Sequence, residues 1–271
     1  MKKVKEKIKE VYADIAEATP GASSCCRAGA VAASPSCCGS SAELTGFKEE
    51  YSTLPGYEAE ADLGLGCGIP VEFAGIEKGQ TVLDLGSGAG NDVFVARSLV
   101  GEEGKVTGVD MTPAMIEKAN KNKGKLGYNN VEFILGDIEE LPVPDLSIDT
   151  AISNCVLNLV SDKLVAYREI YRVLRNPGHF SISDVVVSGP LTDKMKNVVE
   201  LYAGCIAGAM EKSEYLQTIR KAGFKNVEVK KEKVVYLPDS FLSQYLTEKE
   251  LIEFRSTGVQ VLSITVSGYK N

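Results

Sequence analysis

The stretch TVLDLGSGAGN, residues 81–91, decides the fold of this chain. It begins as an apolar run typical of a buried strand, passes through alternate glycines and leads into a helical pattern that starts near Asp92. Glycines between a strand and a helix let the backbone approach a ligand at the carboxyl edge of a parallel sheet. We therefore expect a binding loop here, and its candidate ligand contacts are Asp84, Gly86, Ser87, Gly88 and Asn91.

Strands and helices alternate along the chain from Gly79 onward. Strands are predicted at 81–86, 105–110, 130–137, 147–154 and 179–187, and the helices between them at 92–100, 113–126 and 161–174, the last capped by Ser161. Such alternation predicts an α/β protein with a parallel sheet and right-handed crossovers. Helical sequence follows Pro190, and two late strands, 226–237 and 261–270, are expected to pair at the sheet edge.

The spacing within the loop indicates which cofactor it suits. A dinucleotide fingerprint requires a glycine at position 91, where this chain has Asn91, so NAD is disfavoured. Asp110 ends the second strand and is placed to accept hydrogen bonds from a ribose diol. After the third strand, Asp137 and Ile138 suit a polar and an apolar contact to adenine. The alternative is that these are ordinary turn glycines and a strand-end aspartate.

Composition excludes several classes of function. A formal net charge of −7 disfavours nucleic acid as a partner, because phosphate binding requires clustered Lys and Arg. No apolar stretch approaches the roughly 20 residues of a membrane-spanning helix, and the charged start MKKVKEKIKEV does not resemble a signal peptide. We expect a cytoplasmic protein without membrane partners. Its 7 cysteines are an odd count, which suggests metal binding, catalysis or packing in a reducing compartment.

The N-terminal region combines an amphipathic helix with a cysteine-rich segment. Residues 2–18 place apolar side chains on one helical face, and residues 21–42 are rich in Ser, Ala, Gly and Cys. The vicinal pairs Cys25-Cys26 and Cys37-Cys38 lack the spacing of a standard zinc site. We divide the chain into this region (1–60), a cofactor-binding core (61–190) and a helical substrate-side region with the late strands (191–271).

The motifs DLGSGAGN, VTGVDM and GDI resemble those of the class I S-adenosylmethionine-dependent methyltransferases, over residues 79–184. The resemblance implies a Rossmann-like seven-stranded sheet and S-adenosylmethionine as cofactor, with Met111 and Asn154 among its contacts. It leaves the methyl acceptor open, because this fold methylates many unrelated substrates.

Three further cysteines lie far apart in sequence but near the expected reaction centre. Cys155 directly follows the fourth strand, Cys67 lies in a glycine-rich approach to the loop, and Cys205 belongs to the helical insertion. Buried cysteine is often only a small apolar side chain, which is the alternative for each. Soft thiolates gathered beside a reactive cofactor instead suggest a soft element as substrate.

The sequence motifs GLGCGIP, SNCVLNLVSDK and GCIAGA resemble those of the arsenite methyltransferases, and the resemblance runs from about residue 61 onward. The resemblance implies that Cys67, Cys155 and Cys205 bind trivalent arsenic, that arsenite or its thiol conjugates are methylated to methylarsenite and dimethylarsenite, and that a thioredoxin-type or glutathione-type thiol serves as reductant in arsenic detoxification. The N-terminal cysteines resemble accessory thiols. His179 departs from the family's Pro-Gly-Gly turn, and we interpret it as structural.

Two rival hypotheses remain open at this point. One is a methyltransferase of the same fold that acts on carbon or oxygen of a small organic molecule, with the cysteines serving only to pack. The other is a thiol-rich protein that sequesters soft metals or metalloids without turnover, and the intact cofactor loop argues against it.

Overall fold

The computed structural model describes residues 2–17, 50–191, 195, 206 and 208–271. Within them lies a single sheet, whose strands are β1 (Thr81–Leu85), β2 (Lys105–Asp110), β3 (Val131–Leu135), β4 (Ile148–Asn154), β5 (Leu174–Val187), β6 (Lys225–Val235) and β7 (Val261–Lys270). Their order in the sheet is β3-β2-β1-β4-β5-β7-β6. The first five are parallel, and β7 pairs antiparallel with both β5 and β6. The predicted seven-stranded α/β sheet is confirmed.

Helices flank the sheet in the order expected from the sequence. The described helices are α1 (Lys2–Glu17), α2 (Asn91–Val100), α3 (Pro113–Leu126), α4 (Lys163–Val173), α5 (Lys212–Lys221), α6 (Asp239–Leu242) and α7 (Glu248–Ser256), with short 3-10 helices at Pro70–Phe73 and Leu157–Leu159. The insertion predicted after Pro190 lies partly outside the described residues. No described helix has both the length and the apolar character needed to cross a bilayer.

The core forms because successive residues of a strand face opposite sides of the sheet. In β1, Leu83 and Leu85 pack in the cluster that also contains Tyr167 of α4. Val82 instead belongs to the cluster with Phe94 of α2. Burial on both faces explains why the central strands are almost continuously apolar, and it leaves the carboxyl ends of the strands as the place for a site.

Two local predictions were wrong. The cap of α4 is Asp162, whose side chain accepts hydrogen bonds from the amides of Leu164 and Val165, rather than Ser161. The turn expected at Pro177, Gly178 and His179 lies within β5, which begins at Leu174, five residues before the predicted start of that strand at His179. Pairing with β7 carries β5 through the expected turn, since Gly178 and His179 are both in register with that strand.

Helix α1 packs on the sheet assembly as its apolar face predicts. Ile8 is buried in the cluster at the carboxyl end of the sheet. At the end of the helix, Lys118 of α3 donates a hydrogen bond to the carbonyl of Ala16 at 2.8 Å. This packing brings the helix to the rim of the cleft described below.

Candidate active site

An open cleft lies at the carboxyl ends of β1 to β4. It is lined by all ten residues predicted to contact a cofactor, and by Cys155. The ten are Asp84, Gly86, Ser87, Gly88, Asn91, Asp110, Met111, Asp137, Ile138 and Asn154. The topology explains the convergence, because parallel strands end at one edge of the sheet and the loops that follow them share that edge.

The glycine loop is held against β2 by its own backbone. The amides of Gly86 and Ser87 both donate to the carbonyl of Val109, at 2.7 and 3.1 Å. The amide of Gly88 donates to a carboxylate oxygen of Asp110 at 3.0 Å. Gly88 has φ +51°, and a Cβ added there would meet no atom within 4 Å. The loop therefore presents open backbone to the cleft at this position.

Two polar atoms of this loop lack a partner among the described residues. The Ser87 hydroxyl and the side-chain oxygen of Asn91 are both buried, and neither makes a hydrogen bond within the described chain. Buried polar groups without partners are rare and costly, so such atoms beside a cleft indicate a ligand that completes them. The residues present thus fit a polar cofactor at this loop.

Buried carboxyl groups give the cleft its electrostatic character. Burial, reinforced by the negative charges of Asp92 and Asp110, raises the pKa of Asp84 well above its ordinary value. Burial also raises the pKa of Asp110, although hydrogen bonds from the backbone amides of Thr112 and Gly88 oppose the shift. A ligand that carries positive charge would relieve this repulsion and stabilise the ionised carboxylates.

The adenine side of the predicted site contains a feature that the sequence did not reveal. Lys5 of α1 forms ion pairs with Asp137 and, at 3.0 Å, with Glu139. Burial acts to raise the pKa of Asp137, but the hydrogen bonds from Lys5 and the amide of Glu139, together with the charges of Lys5 and Lys9, outweigh burial and lower the pKa of that carboxyl. Lys5 and Tyr12 both line the cleft. The amphipathic pattern predicted the helix but gave no signal of where it would dock.

Cys155 lies where β4 ends and meets the cleft. Its amide donates to the carbonyl of Ser183 in β5 at 2.8 Å, and its φ is +61°, in the left-handed region. A residue other than glycine seldom adopts this conformation, and such residues cluster at functional sites. The side chain is 6% exposed.

Cys67 comes to the same edge from a distant part of the chain. Its amide donates to the side-chain oxygen of Asn154 at 3.0 Å, and its carbonyl accepts a hydrogen bond from Ser263 at 2.6 Å. Cys67 and Cys155 belong to one buried cluster. Cys67 is 1% exposed and is not among the residues that line the cleft, although the neighbouring Gly66 is.

The remaining predicted thiols, Cys205, Cys25, Cys26, Cys37 and Cys38, lie outside the described residues. Within the described chain, no group of three or more His, Cys, Asp or Glu side chains is arranged to hold a metal ion. The structure thus places two of the three principal thiols, Cys67 and Cys155, in one buried cluster. That these thiols and Cys205 bind one arsenic atom stays a prediction.

His179 lies away from this chemistry. Its ring stacks on Tyr269, with centroids 5.4 Å apart, and Nε2 hydrogen-bonds with the carbonyl of Ala74. It is not among the residues that line the cleft. These contacts fit the structural role expected from the sequence.

Tyr51, Asp92 and Asn154 form a hydrogen-bonded group next to residues 66–68, a segment that we call the Cys67 turn. Asn154 Nδ2 lies 2.8 Å from the Tyr51 hydroxyl and 3.2 Å from Asp92. Burial raises the pKa of Asp92 to about 6, although the hydrogen bonds from Tyr51 and Asn154 oppose the shift. The sequence predicted Asn154 as a cofactor contact but gave no indication of its partners.

A family model described as "Methyltransferase domain" matches residues 76–223. The chain belongs to this methyltransferase family. Among curated relatives, the arsenite methyltransferase of Halobacterium salinarum is 43% identical over 246 residues, which cover 87% of this chain and 61% of that protein. The human arsenite methyltransferase is 41% identical over 152 residues, or 53% of this chain and 40% of the relative. The chain thus spans less than two thirds of the length of either relative.

A solved structure shows the same methyltransferase fold. The arsenic(III) S-adenosylmethionine methyltransferase from Chlamydomonas reinhardtii matches 76% of this chain and 67% of its own, with a TM-score of 0.65 and 40% identity. The resemblance to arsenite methyltransferases drawn from the cysteine-containing words is confirmed, as is the Rossmann-like class I methyltransferase sheet.

Proposed function

We propose that this protein methylates trivalent arsenic with S-adenosylmethionine as the methyl donor. The observation that carries the proposal is the convergence of Cys67 and Cys155 into one buried cluster beside the glycine loop. Similarity to arsenite methyltransferases from several organisms supports the choice of substrate.

The cleft has a group suited to each part of the cofactor. Asp110 would accept hydrogen bonds from the ribose diol, and Ile138 would contact the adenine. Ser87 and Asn91 would gain the partners they lack in the described chain, and the buried Asp84 would face a positively charged ligand. S-adenosylmethionine supplies, when bound, an electrophilic methyl group for the lone pair of arsenic.

Bonds to the thiolate sulfurs would fix the arsenic atom in place and raise its electron density, so that its lone pair becomes a better nucleophile. Arsenite is an uncharged hydroxide, and each thiol that binds it forms an As–S bond while its proton leaves with the displaced hydroxide as water. Three such exchanges, at Cys67, Cys155 and Cys205, give a pyramidal arsenic with its lone pair opposite the sulfurs. Holding the reacting atom in a fixed orientation contributes up to about 7–11 kcal/mol in well-aligned systems.

This chemistry requires no general base, because the attacking atom carries no proton. Accordingly, His179, the only histidine of the chain, stacks on Tyr269 rather than lining the cleft. Cys155, which lines the cleft, is the proposed thiol nearest the methyl donor. Cys67 and Cys205 are proposed to hold arsenic from the side away from it.

The finer assignments extend the same proposal. Methyl transfer uses the arsenic lone pair and leaves arsenic in the +5 state. The expected products, methylarsenite and dimethylarsenite, therefore form after a two-electron reduction by a thioredoxin-type or glutathione-type thiol, which is oxidised to its disulfide. The reduction restores the lone pair on a methylated arsenic that needs only two thiols. The pairs Cys25-Cys26 and Cys37-Cys38 are proposed to capture arsenite or to exchange with a thioredoxin-type or glutathione-type reductant. The cytoplasm, which is reducing, would keep these thiols available, and the three regions 1–60, 61–190 and 191–271 would serve capture, cofactor binding and substrate enclosure.

The test is methyl transfer from labelled S-adenosylmethionine, with and without arsenite and a thiol reductant. Label in arsenic products that requires both additions supports the proposal. Transfer to an organic acceptor regardless of arsenite would favour the rival methyltransferase. Arsenite binding without transfer would favour a sequestering protein.

Single substitutions of the three thiols sharpen this test. Cys67→Ser, Cys155→Ser and Cys205→Ser should each abolish methylation of arsenite while the affinity for S-adenosylmethionine stays intact. The matched control is Cys25→Ser with Cys26→Ser, which should turn over normally at saturating arsenite. Full activity in any two of the three single variants would refute the three-thiol site.

A further inference from the structure

The Cys67 turn is held by one side chain that also adjoins Cys155. Asn154 Oδ1 accepts from the amides of Cys67 at 3.0 Å and Gly68 at 3.3 Å, and Asn154 directly precedes Cys155 in the chain. A displacement of this side chain would therefore change the separation of the two thiols. Asn154 thus links the backbone at Cys67 to the backbone at Cys155, two residues that are 88 positions apart in sequence.

Two further residues fix the orientation of the Asn154 amide. Nδ2 donates towards the Tyr51 hydroxyl at 2.8 Å and Asp92 Oδ2 at 3.2 Å, and also towards the carbonyl of Gly68 at 2.8 Å. The carboxylate accepts only, so the amino group of Asn154 must face Asp92 and its oxygen must face the amide of Cys67. A flipped amide would oppose like groups on both sides.

Tyr51 closes the network from a separate segment. Its hydroxyl lies 2.8 Å from Asp92 Oδ1 and 3.0 Å from the carbonyl of Gly68. Tyr51 and Asp92 are both buried, and hydrogen bonds that involve a buried charge are stronger than those between neutral groups. Tyr51 thus holds both the Asn154 amide and the turn itself.

The Cys67 turn packs closely against the residues that make these hydrogen bonds. A Cβ at Gly66 would lie 2.6 Å from Asn154 Nδ2, and a Cβ at Gly68 would lie 2.4 Å from the hydroxyl oxygen of Ser183. The glycines on both sides of Cys67 therefore allow the turn to press directly against the ends of β4 and β5.

We propose that Tyr51, Asp92 and Asn154 are positioning residues that hold Cys67 at a fixed place relative to Cys155 before arsenic binds. None of these three residues would bond to arsenic itself, so each would act only through the position of Cys67. The consequence for arsenite rests on the proposed function, whereas the effect on Cys67 itself does not depend on it.

The experiment compares Tyr51→Phe with Tyr57→Phe in the full chain. Tyr57 is a matched control, since its hydroxyl also hydrogen-bonds to a carboxylate, that of Asp62 at 3.2 Å, but lies outside this network. The first readout is the rate of alkylation of Cys67 by iodoacetamide without arsenite, measured by peptide mass spectrometry against Cys155. The second is the split between KM for arsenite and kcat, with affinity for S-adenosylmethionine measured by calorimetry.

Tyr51→Phe should accelerate alkylation of Cys67 relative to Cys155, and raise KM for arsenite, each by about tenfold, as expected for the loss of one hydrogen bond to a charged group. Tyr51 lines the cleft, but the substitution removes only the hydroxyl that bonds Asp92 and Gly68, so affinity for S-adenosylmethionine should change much less than KM for arsenite. Asn154→Asp, which places a second carboxylate beside Asp92, should give a larger effect on both readouts and serves as the second variant.

Equal Cys67 alkylation and equal KM in Tyr51→Phe and Tyr57→Phe would overturn the proposal. So would a loss of thermal stability in Tyr51→Phe and Asn154→Asp without any change in Cys67 reactivity. If the wild-type protein does not methylate arsenite, the proposed function fails, but the alkylation comparison still decides whether the network positions Cys67.

Discussion

The two walls of the cleft differ in how their polar groups are satisfied. In the glycine loop, Ser87 and Asn91 bury polar atoms that find no partner among the described residues. In the Cys67 turn, the backbone amides of Cys67 and Gly68 are bound by Asn154. The glycine loop, which is the first wall, needs a ligand to complete the hydrogen bonds of these polar atoms. The second is ordered by the protein itself, which suits thiols that must be in place before a substrate atom arrives.

The largest expected effect comes from Asp110, the proposed hydrogen-bond acceptor for the cofactor at the glycine loop, which is the first wall. Asp110→Ala should weaken binding of S-adenosylmethionine by about tenfold to a hundredfold, because hydrogen bonds to charged groups contribute about 1.5–3 kcal/mol. Calorimetric titration measures the change. The alkylation rate of Cys67 should remain at the wild-type value, and a faster rate would show that the walls are not independent.

A matched pair of glycine substitutions tests the same distinction. Gly88→Ala puts a methyl group into the open cleft at φ +51° and should lower affinity for S-adenosylmethionine by about tenfold, with a stability loss of about 1–2 kcal/mol. Gly66→Ala should disturb Asn154 and raise Cys67 reactivity instead. Calorimetry and alkylation applied to both variants check this, and identical profiles would contradict the comparison.

The pH dependence of stability provides a third test, through Asp184 in β5. Burial raises the pKa of Asp184 from 3.8 to about 7, while the charge of Lys163 and hydrogen bonds from Val185 and Tyr215 oppose the shift. Because the pKa is higher in the folded state, the contribution to the free energy of unfolding is largest below about pH 4 and declines as pH rises to about 7.

Asp184→Asn should flatten that decline by a few kcal/mol at most, since one pKa unit corresponds to about 1.4 kcal/mol. Denaturant unfolding at several pH values measures it. The wild-type protein, unfolded under the same conditions, is the reference for the slope. An unaltered slope in Asp184→Asn would contradict the raised pKa.

The smallest effect concerns the helix that borders the cleft. Lys5→Gln removes the ion pairs to Asp137 and Glu139 and should weaken binding of S-adenosylmethionine by no more than about fivefold, because partly exposed pairs contribute about 0–1 kcal/mol. Lys7→Gln, on the exposed side of the same helix, is the control. A loss as large as that of Asp110→Ala would make α1 part of the first wall.

The sequence predicted the first wall better than the second, for a physical reason. The glycine loop and Asp110 follow from local rules, since strand ends, turn glycines and their spacing place them directly. Tyr51 and Lys5 reach the cleft only through tertiary packing, which no periodicity encodes. The predicted cap of α4, Ser161, was wrong because the adjacent Asp162 can cap the helix equally well. Strand β5 is longer than predicted because its pairing with β7 overrides the turn preference of Pro177 and Gly178.

X-ray absorption at the arsenic edge tests directly whether thiols from remote segments bind one arsenic atom. The sample is the protein with equimolar arsenite and with Cys25, Cys26, Cys37 and Cys38 replaced by serine, so that sulfur can come only from Cys67, Cys155 and Cys205. We expect a shell of sulfur alone in this background, and mixed sulfur and oxygen when Cys155→Ser is added. An oxygen-dominated shell in the background protein, or an unchanged spectrum after Cys155→Ser, would contradict the three-thiol site.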